Sequence, residues 1–277
     1  MIDLFIQADN NKKPLSVACK KKVTKLAKKQ RKLAKKFKKW VKNNAQISIN
    51  LSAFVALELI NGVPYKNAHQ VAQERAEKEH REKEVCLREV LKEYYDKRIM
   101  FDRSFKYGED FKYGALNAGG CGLTTFHPYC AVLNNEFHAT LSLCACFPGD
   151  TLVIYFTEEF NSKAACEQAT PFSHHHYLAT HSWLDKIINT PNCTDWPGLL
   201  LSVDPNRYIE VIFTSSVTLE NIVSLRVSEK YYDDMGVLQD RFFKDPALTI
   251  IEEANLSDFT KLLSAQKAQI INLEVVS

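Results

Sequence analysis

From Asn10 to Leu57 the chain carries 15 lysines and arginines and no acidic residue. Within that run Cys19, Val23, Leu26, Gln30, Leu33, Phe37 and Trp40 recur in steps of four and three. This lays one largely apolar seam along a helix and leaves lysine over the rest of its surface. The spacing predicts a helix from about Ser16, a suitable N-cap, to Asn43, where Asn43-Asn44 ends it. Two kinds of role fit such a helix. In one, the seam packs on the rest of the protein and the lysines are merely solvated. In the other, the lysines of residues 16–43 attract an acidic membrane surface, nucleic acid or an acidic partner protein. Phe37 and Trp40 lie on the seam, so they are poor candidates for stacking on bases.

Outside the run the charge has the other sign. Of the 36 Lys and Arg in the chain, 21 remain, against 33 Asp and Glu. An acidic body of charge −12 therefore carries a basic arm, and the overall +3 describes neither. The 277 residues, 45% of them hydrophobic, suffice for one large domain or two small ones with a real core. Eight cysteines form no regular framework. The start, Met1-Ile2-Asp3-Leu4, lacks the basic and apolar regions of a secretory signal, and no run reaches the ~18–20 apolar residues of a membrane span. The expectation is a reduced protein that works in a cytosol, which need not be the one where it is made.

Residues 1–14 read as a short strand or arm ending at Pro14. After the basic helix, Ile47–Ile60 reads as a mostly buried helix stopped by Gly62 and Pro64. From about Asn67 to Lys97 the pattern predicts one long charged helix with i,i+4 pairs such as Glu74–Lys78 and Glu84–Arg88. Near Ile99 the composition shifts to Gly, Thr, aromatic and β-branched residues. Short strands are expected at Leu123–Phe126, Ala131–Leu133, Ala139–Cys146 and Thr151–Phe156, with helices and loops over 161–197. Leu199–Val203, Tyr208–Phe213 and Val217–Val227 return to strand. Leu256–Gln269 reads as a closing helix capped by Ser257 or Asp258. The fold class expected is α+β, with a helical lobe over 1–97 and a strand-rich domain over 98–277.

Several constellations carry little chemistry. His174-His175-His176 and His181 lack the spacing of a metal site, and Cys144 and Cys146 have no second close pair. A Cys–His nucleophile built from Cys121 or Cys130 near His127 has no specific support. Asn117–Gly122 is glycine-rich but does not stand between a clear strand and a helix. Glu210 is more informative. It is a lone carboxylate in an apolar run, so it either faces water from a half-exposed strand or points into a cleft as a catalytic acid.

Four stretches read together favour the cleft. Arg103-Ser104 is followed by Tyr113-Gly114-Ala115-Leu116-Asn117, then Phe137–Leu143, then Tyr208-Ile209-Glu210-Val211 with Val217–Val223 behind it. This order, over residues 98–230, resembles the mono-ADP-ribosyltransferase superfamily, and more narrowly a bacterial ART-like family with YGALN and YIE motifs. The resemblance implies a core of two small packed β-sheets with NAD, as substrate and without a metal, in the cleft between them. It implies that Glu210 is the catalytic carboxylate and that Thr140 and Ser142 lie on the strand shaping the nicotinamide pocket. Arg103 is the phosphate-binding arginine, with Arg98 as runner-up, and Tyr113, Gly114 and Asn117 line the cleft. Glu136 is a second carboxylate that competes for the acid role.

The chemistry asks for these residue types. Cleaving the nicotinamide–ribose bond develops oxocarbenium charge that a carboxylate stabilises, and a guanidinium forks onto phosphate oxygens as lysine cannot. Arginine-modifying members carry Glu or Gln two residues before the catalytic Glu. Tyr208 stands there in this chain, so arginine as acceptor, and transfer as against NAD hydrolysis, stay open. The resemblance further implies a toxin-like virulence effector, secreted by a bacterium and acting in a host cytoplasm on a host protein, a metabolic enzyme among the candidates. The helical lobe is then expected to recruit that substrate.

Overall fold

The computed structural model describes residues 1–141, 143–156, 160–201, 208–244 and 249–276, with side chains omitted at 193 and 242–244. The protein is α+β. In chain order the helices are α1 (Leu4–Asn10), α2 (Lys12–Thr24), α3 (Lys28–Asn44), α4 (Ala53–Ile60), α5 (Ala68–Glu79), α6 (Lys83–Leu91), α7 (Tyr95–Ser104) and α8 (Asn135–Thr140). They continue with α9 (Thr151–Ile154), α10 (Ser162–Gln168), α11 (His175–Ser182), α12 (Leu184–Asn189), α13 (Trp196–Leu200), α14 (Glu229–Lys244) and α15 (Ile250–Lys267). The strands are β1 (Gln46–Leu51), β2 (Lys112–Asn117), β3 (Tyr129–Leu133), β4 (Cys144–Phe147), β5 (Glu210–Phe213), β6 (Ile222–Ser228) and β7 (Leu273–Val276). Among the described residues no helix is long and apolar enough to cross a membrane.

The chain forms two compact units that interleave in sequence. One comprises Met1–Ala45, Lys66–Ala118 and Thr140–Ser215; the other comprises Gln46–Tyr65, Gly119–Ala139 and Ser216–Ser277. The division does not fall at residue 97, where the sequence placed it, because residues 46–65 leave the helical lobe for the second unit. The expected helix at 47–60 begins as β1 instead. Ile47, Ile49 and Leu51 are buried at a period of two, and only from Ser52, whose hydroxyl accepts from the Val55 amide at 3.3 Å, does a helix follow.

In the first unit β5 is central, antiparallel to β4 on one side and to β2 on the other. All four β5 residues are buried, as in a strand covered on both faces. Leu4 and Phe5 of α1 pack with Phe101, Phe105, Phe111, Phe147 and Ile212 into an aromatic core. The N-terminal segment is thus helical rather than extended, with Asp3 capping the Phe5 and Ile6 amides at 3.2 Å.

The basic run breaks into two helices. Arg31 Nη2 donates to the carbonyls of Thr24 (2.8 Å) and Leu26 (3.0 Å), and so satisfies the end of α2 from within α3. The break rephases the apolar seam. The buried positions are Cys19 and Val23 on α2, then Ala34, Phe37 and Val41 on α3, while Leu33 and Trp40 are only half-buried. Phe37 and Trp40 pack edge-on against Trp196, with ring centroids 5.3 and 5.4 Å away.

The long charged helix also breaks, at His80 and Lys92, both with positive φ (53° and 49°). This lets Ala72 and Ala76 of α5 pack on Cys86 and Leu87 of α6. The ion pairs form largely across helices. Arg75 and Arg81 meet Glu89, Lys66 meets Glu74, and Arg103 meets Glu84.

In the second unit the order is β1-β3-β6-β7, antiparallel except for the parallel β6–β7 pair. The strand expected at 217–227 starts only at Ile222, after a turn capped by Thr218. The closing helix starts earlier than expected, at Ile250, behind a capping box made by Thr249 and Glu252. Other expected strands are helical or irregular. Residues 135–140 form α8, and Asp150 caps the single turn of α9 through the Leu152 amide. Leu123–Phe126 forms no strand, and Leu199 and Leu200 end α13. Residues 202–203 lie outside the described residues.

Gly108 fixes the loop behind α7. A Cβ there would lie 1.8 Å from the carbonyl oxygen of Asp102, a backbone atom with no room to yield. Gly108→Ala is expected to cost about 1–3 kcal/mol or more in urea unfolding. Gly198→Ala, whose added Cβ meets nothing within 4 Å, should stay within about 0.5 kcal/mol of the parent.

Candidate active site

The β2–β5–β4 register sets the site. Ala115 and Phe147 flank Glu210, and Tyr113 and Ala145 flank Ile212. Facing residues, and residues two apart, share a face, so Tyr113, Asn117 and Glu210 all lie on the side that carries the aromatic core. Glu210 is consequently buried, at 4% exposure, and does not face water from a half-exposed strand.

Helix α7 supplies Arg98 and Asp102, four residues apart and so on one face. The Arg98 guanidinium carbon stands 3.5 Å from the centre of the Tyr113 ring. The Tyr113 hydroxyl donates to Asp102 Oδ1, and His69 of α5 meets Asp102 Oδ2 through Nε2 at 2.9 Å. From the other side, the Thr151 amide donates to Glu210 Oε2 at 3.0 Å, and the Tyr208 hydroxyl lies near Asp150. Arg98, Asp102, Tyr113, Asp150, Tyr208 and Glu210 thereby form one polar cluster, with Arg98 and Tyr113 its half-buried members. Arg98 Nη1 and Thr151 Oγ1 are shut off from solvent without a hydrogen-bond partner among the described residues.

The electrostatics follow from this packing. Burial, followed by the charge of Asp150, pushes the Glu210 carboxyl up to about 7, while Arg98 and Thr151 pull the other way. The Thr151 hydroxyl takes part in this pull by proximity, without hydrogen-bond geometry. Burial works against the charge of Arg98, but Tyr113, Glu210, Asp102 and Asp150 outweigh it and hold the guanidinium cationic. Burial also raises Tyr113, Tyr155 and Tyr208, with the negative charge of Glu210 adding to it, so all three remain hydroxyl donors.

Of the residues singled out in the sequence, Glu210 and Tyr113 meet in this cluster. Asn117 is buried at the end of β2, and Gly114, paired with Val211, lies on the opposite face. Arg103 lies elsewhere. It is exposed in the last turn of α7, where Nη2 stands 3.4 Å from both carboxylate oxygens of Glu84. One turn earlier on the same helix, Arg98 is the arginine beside Glu210. Thr140 is exposed at the end of α8 and not on a strand with Ser142, which lies outside the described residues. Glu136 is exposed in the first turn of α8.

Sequence reading missed Asp102, Asp150, Thr151, Tyr155 and His69. Two signals were present: the Arg98–Asp102 spacing of four, and Pro148-Gly149-Asp150 ahead of an apolar run, which is an N-cap pattern. The histidine run belongs to packing. His175 stacks on Phe172 with centroids 4.6 Å apart, and burial lowers His176 to about 3. Burial raises the thiols of Cys121 and Cys146, so neither gains thiolate character. Among the described residues no group of three or more His, Cys, Asp or Glu is arranged to hold a metal ion.

No known family model matches the chain, and no curated protein matches it.

The raised Glu210 has a sign that stability measurements can read. Between about pH 4.5 and 7 the folded protein keeps a proton that the unfolded chain has released, so stability falls as pH rises through that window. Glu210→Gln removes this term. Urea unfolding at pH 5 and pH 8 should show the variant gaining on the parent at the higher pH by an amount on the order of a few kcal/mol. Parallel curves for parent and variant would mean that Glu210 is not the raised group.

Proposed function

We propose that the chain is an NAD-dependent mono-ADP-ribosyltransferase whose catalytic carboxylate is Glu210. The observation that carries the reading is a convergence. The two motif stretches, Tyr113–Asn117 and Tyr208–Val211, meet where β2 pairs with β5, and Arg98 and Glu210 come together beside that pairing. The fold proposed for this reading is an ADP-ribosyltransferase-like core of two small packed β-sheets. Arg98 takes the phosphate-binding role first given to Arg103. Its buried Nη1 lacks a partner among the described residues, and a guanidinium held over the Tyr113 ring can present its fork to phosphate oxygens.

In this proposal the ionised Glu210 accepts the ribose 2′-hydroxyl and stabilises the positive charge that grows as the nicotinamide–ribose bond breaks. The nicotinamide leaves with the bonding electron pair, and a nucleophile of a host protein attacks the ribose carbon and loses its proton. Water in place of that nucleophile gives NAD hydrolysis. Tyr208 is held uncharged by burial, so it does not supply the acidic group that arginine-modifying members of that superfamily carry two residues before the catalytic Glu.

Labelled NAD and a host-cell lysate test the assignment. Glu210→Gln should fold and lose activity on the order of a hundredfold or more, and Arg98→Lys should raise KM for NAD. Arg103→Ala and Glu136→Gln should label as the parent does. Activity of the parent should rise with pH through about 7, as Glu210 ionises. Equal labelling by parent and Glu210→Gln rejects the proposal, and free ADP-ribose released without an acceptor identifies a hydrolase.

A further inference from the structure

We propose that the outer face of α2 and α3 is a docking surface for the phosphate backbone of duplex nucleic acid, bound without regard to sequence. The inference is independent of any reading of Glu210. Lys28, Lys32, Lys35, Lys39 and Lys42 recur in steps of four and three, so they form one stripe along roughly 21 Å of α3. All five are exposed, and Lys20, Lys21, Lys22, Lys25, Lys29 and Lys36 extend the same charge. Among the described residues the only ion pair made by a basic residue of α2 or α3 is Lys12 with Asp9.

This charge works against the fold that carries it. Lysines four apart on a helix repel, and α3 begins with Lys28 and Lys29 at the end where the helix dipole favours acids. No acidic residue occupies its first turn. A merely solvated face gains solubility from mixed charges, whereas an unbroken single-sign stripe creates a field suited to a polyanion.

The rest of the helix surface selects among polyanions. The apolar seam of α3 is already covered. Ala34, Phe37 and Val41 are buried, and Trp40 packs against both Phe37 and Trp196. The exposed face of the two helices therefore offers a membrane no anchor beyond Val17, and stable attachment to a bilayer needs an apolar or lipid anchor beside the charge. It offers no aromatic platform for unstacked bases either, which disfavours single strands. Phosphate contacts need neither. Lysine ammonium groups on a rigid helix are sufficient to displace counterions from a duplex.

The test uses the full chain, a labelled random-sequence duplex of about 20 base pairs, and titrations between about 50 and 200 mM salt. The parent should bind, with log K falling linearly against log salt. The variant K28Q/K32Q/K35Q/K39Q/K42Q should bind at least about a hundredfold more weakly at the lowest salt, with a slope shallower by about 4–5. Glutamine keeps helix propensity and removes repulsion, so far-UV circular dichroism and Tm should not fall. The double variant K35Q/K39Q should lose about 2 in slope, and it carries the test should the fivefold variant unfold. The proposal is overturned by no duplex binding at about 50 mM salt, or by equal slopes for parent and variants. It is also overturned if phosphatidylserine vesicles or polyglutamate bind more tightly than the duplex, since each assigns the stripe to a different partner.

Discussion

Among the described residues, the guanidinium of Arg98 is the permanent positive charge that stands with the buried carboxylates of the first unit, Asp102, Asp150 and Glu210. Carboxylates placed beside an apolar core cannot all remain ionised unless a cation stands with them. Removing one partner from such a set commonly costs about 3–5 kcal/mol, because the remaining charge is left uncompensated. Tyr113 ties this charge balance to the backbone. Its ring carries Arg98, its hydroxyl holds Asp102, and its strand pairs with the strand that carries Glu210. The sheet register and the charge balance therefore support each other. Burial and the charge of Asp150 raise Glu210 to about 7, so its proton is released near neutrality.

The basic helices follow a different economy. Their stability comes from the seam that Phe37, Val41 and Trp196 bury, while their outer charge opposes it. Arg31 shows the compromise at the joint. It gives its guanidinium to the carbonyls that end α2, so one basic residue of the run serves the backbone directly. Among the described residues the five lysines of the α3 stripe make no ion pair, and that stripe is the surface proposed for a polyanion. Charge of opposite character is thus handled in two ways: carboxylates drawn into a compensated core, lysines spread on a surface.

Glu210 and Tyr113 were legible in the sequence because both sit in short runs of β-forming residues, where a lone carboxylate or a motif tyrosine stands out. Arg98 was ranked behind Arg103 because helix phase, not residue type, separates them. The two lie on one helix, one turned to the core and one to Glu84. The strand expected at Thr140 is absent for a related reason. Asn134 accepts from the Phe137 amide at 2.8 Å and starts a helical turn in a stretch whose composition reads as β. β1 was misread through the length of the apolar run, although Ile47, Ile49 and Leu51 already alternate.

The sequence by itself determined the α+β class, the amphipathic character of the basic run, the β-strand that carries Glu210 and the helical tail. These depend on local periodicity and on residue preferences that act over a few neighbours. Only the tertiary structure decided where the helices break, which arginine meets Glu210, and that Asp150, Thr151 and His69 belong to the same polar cluster. Those outcomes depend on which side chains find a partner across the fold. Arg31 ends a helix by reaching back to carbonyls, and Arg98 is fixed by a tyrosine ring on another element. Burial of a charge is a property of the assembled core, and no local pattern along the chain encodes it.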